Sequence, residues 1–212
     1  LSLLANIATS IEKFATEIRN LQRNEIAEVE EYFEEKQVGS STMPHKRNPI
    51  TCEQICGLAR VIRSNLLPAW ENAIQWHERD LCNSSAERFI IPHALILADW
   101  ILYKMRQVFS SLKVHPEKMV ANIEISKGLI FTEAIMMKLV EKGLSRQEAH
   151  EIMRQCAMEA KEKDAHLKDI LKEKAVAEML GSIDELFNPK IYIGKAPEIV
   201  ELTLQEIREQ IP

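Results

Sequence analysis

Long runs of alternating apolar and polar residues, the mark of half-buried strands, are almost absent from this sequence. That excludes a sheet-built architecture. No residue run is apolar enough for a membrane span either: the most apolar stretch, 89–103, is interrupted by Pro92, His93 and Asp99. Nothing in it resembles a secretion signal. The four cysteines (Cys52, Cys56, Cys82 and Cys156) form no Cys-x-x-Cys pair, and no His, Asp or Glu spacing suggests a metal, so zinc, other metals and a disulfide framework are not expected. Reduced thiols in a cytoplasmic protein are the expectation. Positive charge is not in excess. With a net charge of −5, the chain offers neither phosphate backbones nor anionic lipids a general attraction, so no nucleic-acid or membrane partner is expected. Internal repeats and low-complexity segments are lacking too.

What is present is helical periodicity. The 212 residues are 46% hydrophobic and 28% charged, enough for one full core or a core with a smaller lobe. Leu4, Ile7, Ile11, Phe14, Ile18 and Leu21 form a stripe for a first helix reaching about Asn24, with an acidic continuation over 25–35. That stripe is already under way at Leu1 with no cap before it, so functional residues are expected upstream. Gly39, Pro44 and Pro49 break the pattern over 37–49. A second helix is predicted from Ile50 to about Trp76, with a kink or a locally broken turn at Pro68, and a third from about Ser84 to Ser111. The third is apolar nearly all round, which requires burial by several neighbours. Beyond His115-Pro116 shorter helices are predicted over about 116–123, 129–142 and 146–163, with Gly143 ending one and Ser145 capping the next in a capping box with Glu148. The expectation is an all-α fold: a long-helix bundle over 1–113, then a small helical C-terminal domain over 114–212.

Chemistry concentrates in two segments. The first, Gly39-Ser40-Ser41-Thr42-Met43-Pro44-His45-Lys46-Arg47-Asn48-Pro49, joins a glycine hinge, paired hydroxyls and two cations just before a helix N-terminus. Unpaired N–H groups and the helix dipole favour an anion there. On composition alone a capped turn with solvated cations is the favoured reading. The second segment runs from Trp76 to Arg88 and contains Arg79, Ser84, Glu87 and Arg88. Ser84 with Glu87 reads as a capping box, and the arginines as either surface ion pairs or anion ligands. Glu53, seven residues after Lys46, would ordinarily be a dipole-compensating surface residue, with Gln54 beside it.

The first segment resembles the signature Gly-Ser-Ser-x-Met-Pro-x-Lys-x-Asn-Pro of the fumarase/aspartase superfamily, matching every fixed position. The resemblance implies a loop that closes over substrate, with Ser40 as general base, Ser41 binding substrate, and Lys46 and Asn48 holding the carboxylate beside the abstracted proton. It gives Glu53 a role beside a histidine general acid, and Gln54 a substrate contact. His45 falls on an open position of the signature, and the acid histidine belongs to an upstream segment. Argininosuccinate lyases carry a close variant of this string, and carboxymuconate cycloisomerases nearly the same one. The second segment resembles the adenylosuccinate lyase family, in which positions matching Arg79, Ser84 and Arg88 grip a nucleotide phosphate.

This implies β-elimination of fumarate from a succinyl-nucleotide without metal or cofactor, in a homotetramer whose active sites are shared between subunits. Rival readings are another lyase or cycloisomerase of the superfamily and an inactive helical assembly protein. The isolated chain is expected to be silent without its upstream part.

Overall fold

The computed structural model describes residues 1–32 and 47–211. They form α1 (Ser2–Leu21), β1 (Val29–Glu30), α2 (Ile50–Ser64), α3 (Leu66–Glu71), α4 (Leu81–Ser111), β2 (Lys113–Val114), α5 (Pro116–Glu124), α6 (Thr132–Glu141), α7 (Arg146–Glu162), α8 (Leu167–Lys172), α9 (Ala177–Leu180), α10 (Ile183–Leu186) and α11 (Ala196–Gln210). Single 3-10 turns lie at Leu129–Phe131 and Pro189–Tyr192. The all-α expectation holds. The chain divides into two compact units, Leu1–Met119 and Val120–Pro212.

In the first unit α1, α2 and α4 pack around one core. Ala8, Ala15, Cys52, Ile55, Ala59 and Ile101 are completely buried. Small side chains at four of these positions let helix backbones approach closely. Cross-helix contacts fix the directions. Thr16 Oγ1 lies 3.5 Å from Cys56 Sγ, and Arg63 reaches both Thr9 (3.5 Å) and Glu12 (2.5 Å), so α1 and α2 are antiparallel. Phe14 meets Phe109 edge-on at 5.7 Å, while Glu87 and Ile90 line a cleft with Leu1 and Leu4, so α4 runs parallel to α1.

The structure corrects several sequence-based boundaries. The acidic run does not continue α1: the helix ends at Leu21, and a turn through Ala27 (φ 53°) leads into β1. Val29 and Glu30 pair antiparallel with Val114 and Lys113, which keeps residues 113–119 with the first unit. The second helix is broken rather than kinked near Pro68: α2 ends at Ser64 and α3 begins at Leu66, the locally broken turn that is one of the two expectations. The buried Asn65 amide donates to the Val61 carbonyl at 3.0 Å and closes α2, leaving Pro68 in the first turn of α3, where a missing N–H costs nothing.

The third helix starts at Leu81, not Ser84, with Asp80 as its cap; Asp80 Oδ1 accepts from the Cys82 N–H at 2.8 Å. Asn83 is thereby buried, and its side chain donates to the Asn72 carbonyl at 2.5 Å, which ties the first turn of α4 to the end of α3. Pro92 inside α4 removes one backbone bond, the one to the Arg88 carbonyl. Only one side of this helix is covered in the unit: Phe89 is 78% and Ile96 66% exposed.

The second unit is a helical cluster about Ile135, Leu139, Ala149, Leu167 and Leu171, all fully buried. Gly143 adopts φ 105° to end the α6 segment, and Ser145 and Glu148 form the predicted capping box of α7. Phe131 packs edge-on to Phe187 and stacks on Tyr192. No helix among the described residues is long and apolar enough to cross a membrane.

Candidate active site

Ser40, Ser41 and Lys46 lie outside the described residues. Asn48, Glu53 and Gln54 lie within them, and together they mark one end of the first unit. Asn48 precedes the helix, and its carbonyl accepts from the Ile50 N–H at 2.9 Å. The Glu53 N–H donates to Pro49 at 2.9 Å, which places Glu53 in the first helical turn. Glu53 and Gln54 are both exposed. An acidic side chain in this turn is favoured by the helix dipole.

A cleft of about 770 Å³ opens here, lined among others by Arg19, Arg23, Arg47, Asn48, Glu53 and His115. Three guanidinium groups in one cleft make a favourable setting for an anion. They are partly balanced by carboxylates: Arg47 pairs with Glu30 at 2.5 Å, and His115 Nε2 lies 3.8 Å from the same carboxylate. Sequence reading did not single out Arg19, Arg23 or His115. Nothing local distinguishes them, because they reach the cleft from the end of α1 and from the turn after β2.

Beneath the cleft, Glu31 is buried and accepts from the Thr51 and Cys52 N–H groups, both at 3.0 Å. Burial, and then the Glu31 charge, push the Cys52 thiol far above its ordinary value, so it stays protonated. Among the described residues no group of three or more His, Cys, Asp or Glu could hold a metal ion.

Arg79 lies just before α4, and Ser84 and Arg88 lie in its first turns. Ser84 is not the helix cap that its spacing to Glu87 suggested; it sits within the first turns of α4, one turn before Arg88 on the same face. Arg79 is ion-paired with Glu87. Arg88 is exposed and has no ion pair among the described residues.

The two clusters do not meet in one chain. The Asn48–Glu53 cluster shares its cleft with Arg19 and Gln22 near the end of α1, whereas Glu87 lies beside Leu1 and Leu4 at its beginning. Helical rise puts the clusters roughly 25 Å apart along the bundle, which exceeds the reach of one nucleotide.

Comparison with known proteins gives the family context. The family described as "Adenylosuccinate lyase C-terminus" matches residues 128–202, and that described as "Lyase" matches residues 1–64. An adenylosuccinate lyase of Pyrococcus horikoshii is 50% identical over 211 residues, covering 99% of this chain and 47% of that protein. One from Methanothermobacter thermautotrophicus is 51% identical over 208 residues, covering 96% of this chain and 46% of that protein. Among solved structures, a 3-carboxy-cis,cis-muconate lactonizing enzyme from Pseudomonas putida superposes with a TM-score of 0.86 at 29% identity, covering 98% of this chain and 46% of that one. A fumarate lyase from Mesorhizobium sp. BNC1 gives 0.83 at 29% identity, covering 96% and 45%. The chain spans about half the length of the curated relatives it matches.

Proposed function

Because the chain belongs to the adenylosuccinate lyase family, we propose that the complete protein eliminates fumarate from adenylosuccinate, releasing AMP. Its second substrate is the succinyl-aminoimidazole carboxamide ribotide of purine synthesis. The observation that carries this reading is the identity of about half of all positions, over nearly the whole chain, with adenylosuccinate lyases. The cycloisomerase similarity is much weaker in sequence, at 29% identity, and carries the fold rather than the substrate.

In the proposed reaction Ser40 removes the proton beside a succinyl carboxylate. The electron pair of that C–H bond forms the new double bond, and the carbon–nitrogen bond breaks. A histidine from outside this chain protonates the departing amine. Lys46 and Asn48 hold the carboxylate on which charge develops, where fixed donors lower the barrier most. Glu53 orients that histidine, and Ser41 and Gln54 contact substrate. Arg79, Ser84 and Arg88 take the phosphate at the other end of the nucleotide. The side chains can perform both proton transfers, so the mechanism uses no cofactor or metal.

A distance of roughly 25 Å between the two clusters along the bundle supports sites shared between subunits. The exposed apolar side chains of α4 support the same conclusion, since they need cover. We place the protein as a homotetramer in the cytoplasm, where its four free cysteines remain reduced.

The test is subunit complementation. Complete enzyme carrying Ser40→Ala and complete enzyme carrying Arg88→Ala are each prepared, dissociated and reassembled together. Activity well above either parent is expected, because hybrid tetramers contain some sites with neither substitution. A mixture no more active than its parents contradicts sites shared in this way.

A further inference from the structure

We infer that Glu31 and Gln22 are positioning residues for the elimination, holding the first turn of α2, and with it Asn48 and Glu53, in place at the cleft. The inference rests on the lyase reading above, since it names what aligns two of that reaction's groups. Helix α2 begins after Pro49, whose side chain has no acceptor and makes no cap. Its first N–H groups therefore need an acceptor from elsewhere. Glu31 supplies it from the end of β1. One carboxylate oxygen takes the Thr51 N–H and the other the Cys52 N–H, each at 3.0 Å. With only 6% of its surface exposed, Glu31 is buried with both side-chain oxygens hydrogen-bonded by a helix terminus.

Gln22 completes the clamp. Its side-chain oxygen accepts the Glu31 N–H at 2.9 Å, and its Nε2 donates to the Arg47 carbonyl at 3.3 Å. A single amide thus ties Glu31 to the residue immediately before Asn48. A Ser, Thr or Asp at position 49 would cap α2 locally and leave the helix free to shift against its neighbours. A cap reached from β1, itself held by Gln22 of the chain leaving α1, sets where the first turn lies as well as whether it forms. Because Glu53 follows Cys52 by one position, a displacement of that turn moves Glu53 directly. Errors of an ångström at a reacting centre lower rates by orders of magnitude.

The experiment uses the complete enzyme and a double-mutant cycle between Glu31→Gln and Glu53→Gln. Glu31→Gln keeps one acceptor and faces the other N–H with an NH2 group. It is expected to lower kcat for adenylosuccinate at least tenfold, with KM changed less than threefold. On a Glu53→Gln background the same substitution is expected to cost several-fold less than it does alone, because one of the two groups it positions is already gone. Fully additive losses overturn the inference.

Hydrogen exchange gives a readout independent of turnover. In Glu31→Gln the Thr51 and Cys52 amides are expected to lose protection while Ile101 and Met105 of α4 keep theirs. A uniform loss, or none, overturns the clamp. Gln22→Leu removes the bridge without touching the carboxylate; it is expected to give the same pattern at smaller size, and serves where Glu31→Gln does not fold. A wild-type enzyme inert toward adenylosuccinate contradicts the lyase reading, and the exchange pattern then decides the clamp alone.

Discussion

Arg79 and Glu87 are ion-paired across the first turns of α4, so the guanidinium before the helix is already held by a carboxylate. Arg88, one turn after Ser84, has no such partner among the described residues. The two arginines proposed to grip phosphate therefore differ in what each gives up on binding. Arg88→Ala is expected to raise KM for adenylosuccinate about tenfold or more, equivalent to ~1.4 kcal/mol, with kcat within about threefold. Arg79→Ala is expected to raise KM less, because Arg79 gives up pairing with Glu87 when it takes the phosphate and so contributes less on balance. Steady-state kinetics on both variants decide the matter. An unchanged KM in Arg88→Ala removes the phosphate role.

Gly128 has no room for a side chain. Its φ is +82°, and a β-carbon there would lie 2.6 Å from both His166 and Phe187. Gly128→Ala combines left-handed strain with overpacking and is expected to destabilise the second unit by about 2 kcal/mol. Thermal unfolding checks this, and an unshifted midpoint contradicts it.

The Ser145–Glu148 box offers a smaller, local test. The Glu148 N–H donates to Ser145 Oγ at 3.2 Å, and the Ser145 N–H donates to Glu148 Oε2 at 3.0 Å. Ser145→Ala is expected to cost about 1 kcal/mol, a lowering of the unfolding midpoint by roughly 4–8 °C for a unit of this size. Ser145→Asp, which can still cap, is expected to recover most of it.

Acid should weaken the second unit through Glu159. Hydrogen bonds from Lys163 (2.6 Å) and Lys174 (2.5 Å) bring its carboxyl down to about 2. A carboxylate lowered in the folded state stabilises the fold above the ordinary carboxyl range. That stabilisation is lost as pH falls from about 4.5 toward about 2. Glu159→Gln is expected to flatten the decline in stability across that window, and denaturant titrations at several pH values read it directly. Because Glu159 keeps about a quarter of its side chain exposed and both lysines more, added salt should shrink the effect.

Helices were legible wherever one face repeats over several turns. The stripe from Leu4 to Ile18, the break before Ile50 and the box at Ser145 all follow from local pattern. What escaped depends on partners distant in sequence. β1 has two residues, too few to show alternation, and exists because residues 113–114 pair with it. The start of α4 was placed at Ser84 because Ser84 and Glu87 match a capping box; the Asn72–Asn83 bond and the Asp80 cap move it to Leu81. Glu31 reads in the sequence as one more residue in an acidic continuation of the first helix. Its burial follows from the start of α2, where Pro49 makes no cap and the first N–H groups need an acceptor that spacing alone does not identify. The candidate residues were readable as two motifs, but not the separation of Asn48 and Glu53 from Ser84 and Arg88 to opposite ends of one unit.

The most direct test of the account is fumarate release from adenylosuccinate by the complete protein, followed as the appearance of AMP and fumarate in equal amounts. The account predicts turnover that Ser40→Ala abolishes while nucleotide binding persists. A folded assembly that binds the nucleotide and releases no fumarate, or a Ser40→Ala enzyme with full turnover, contradicts it.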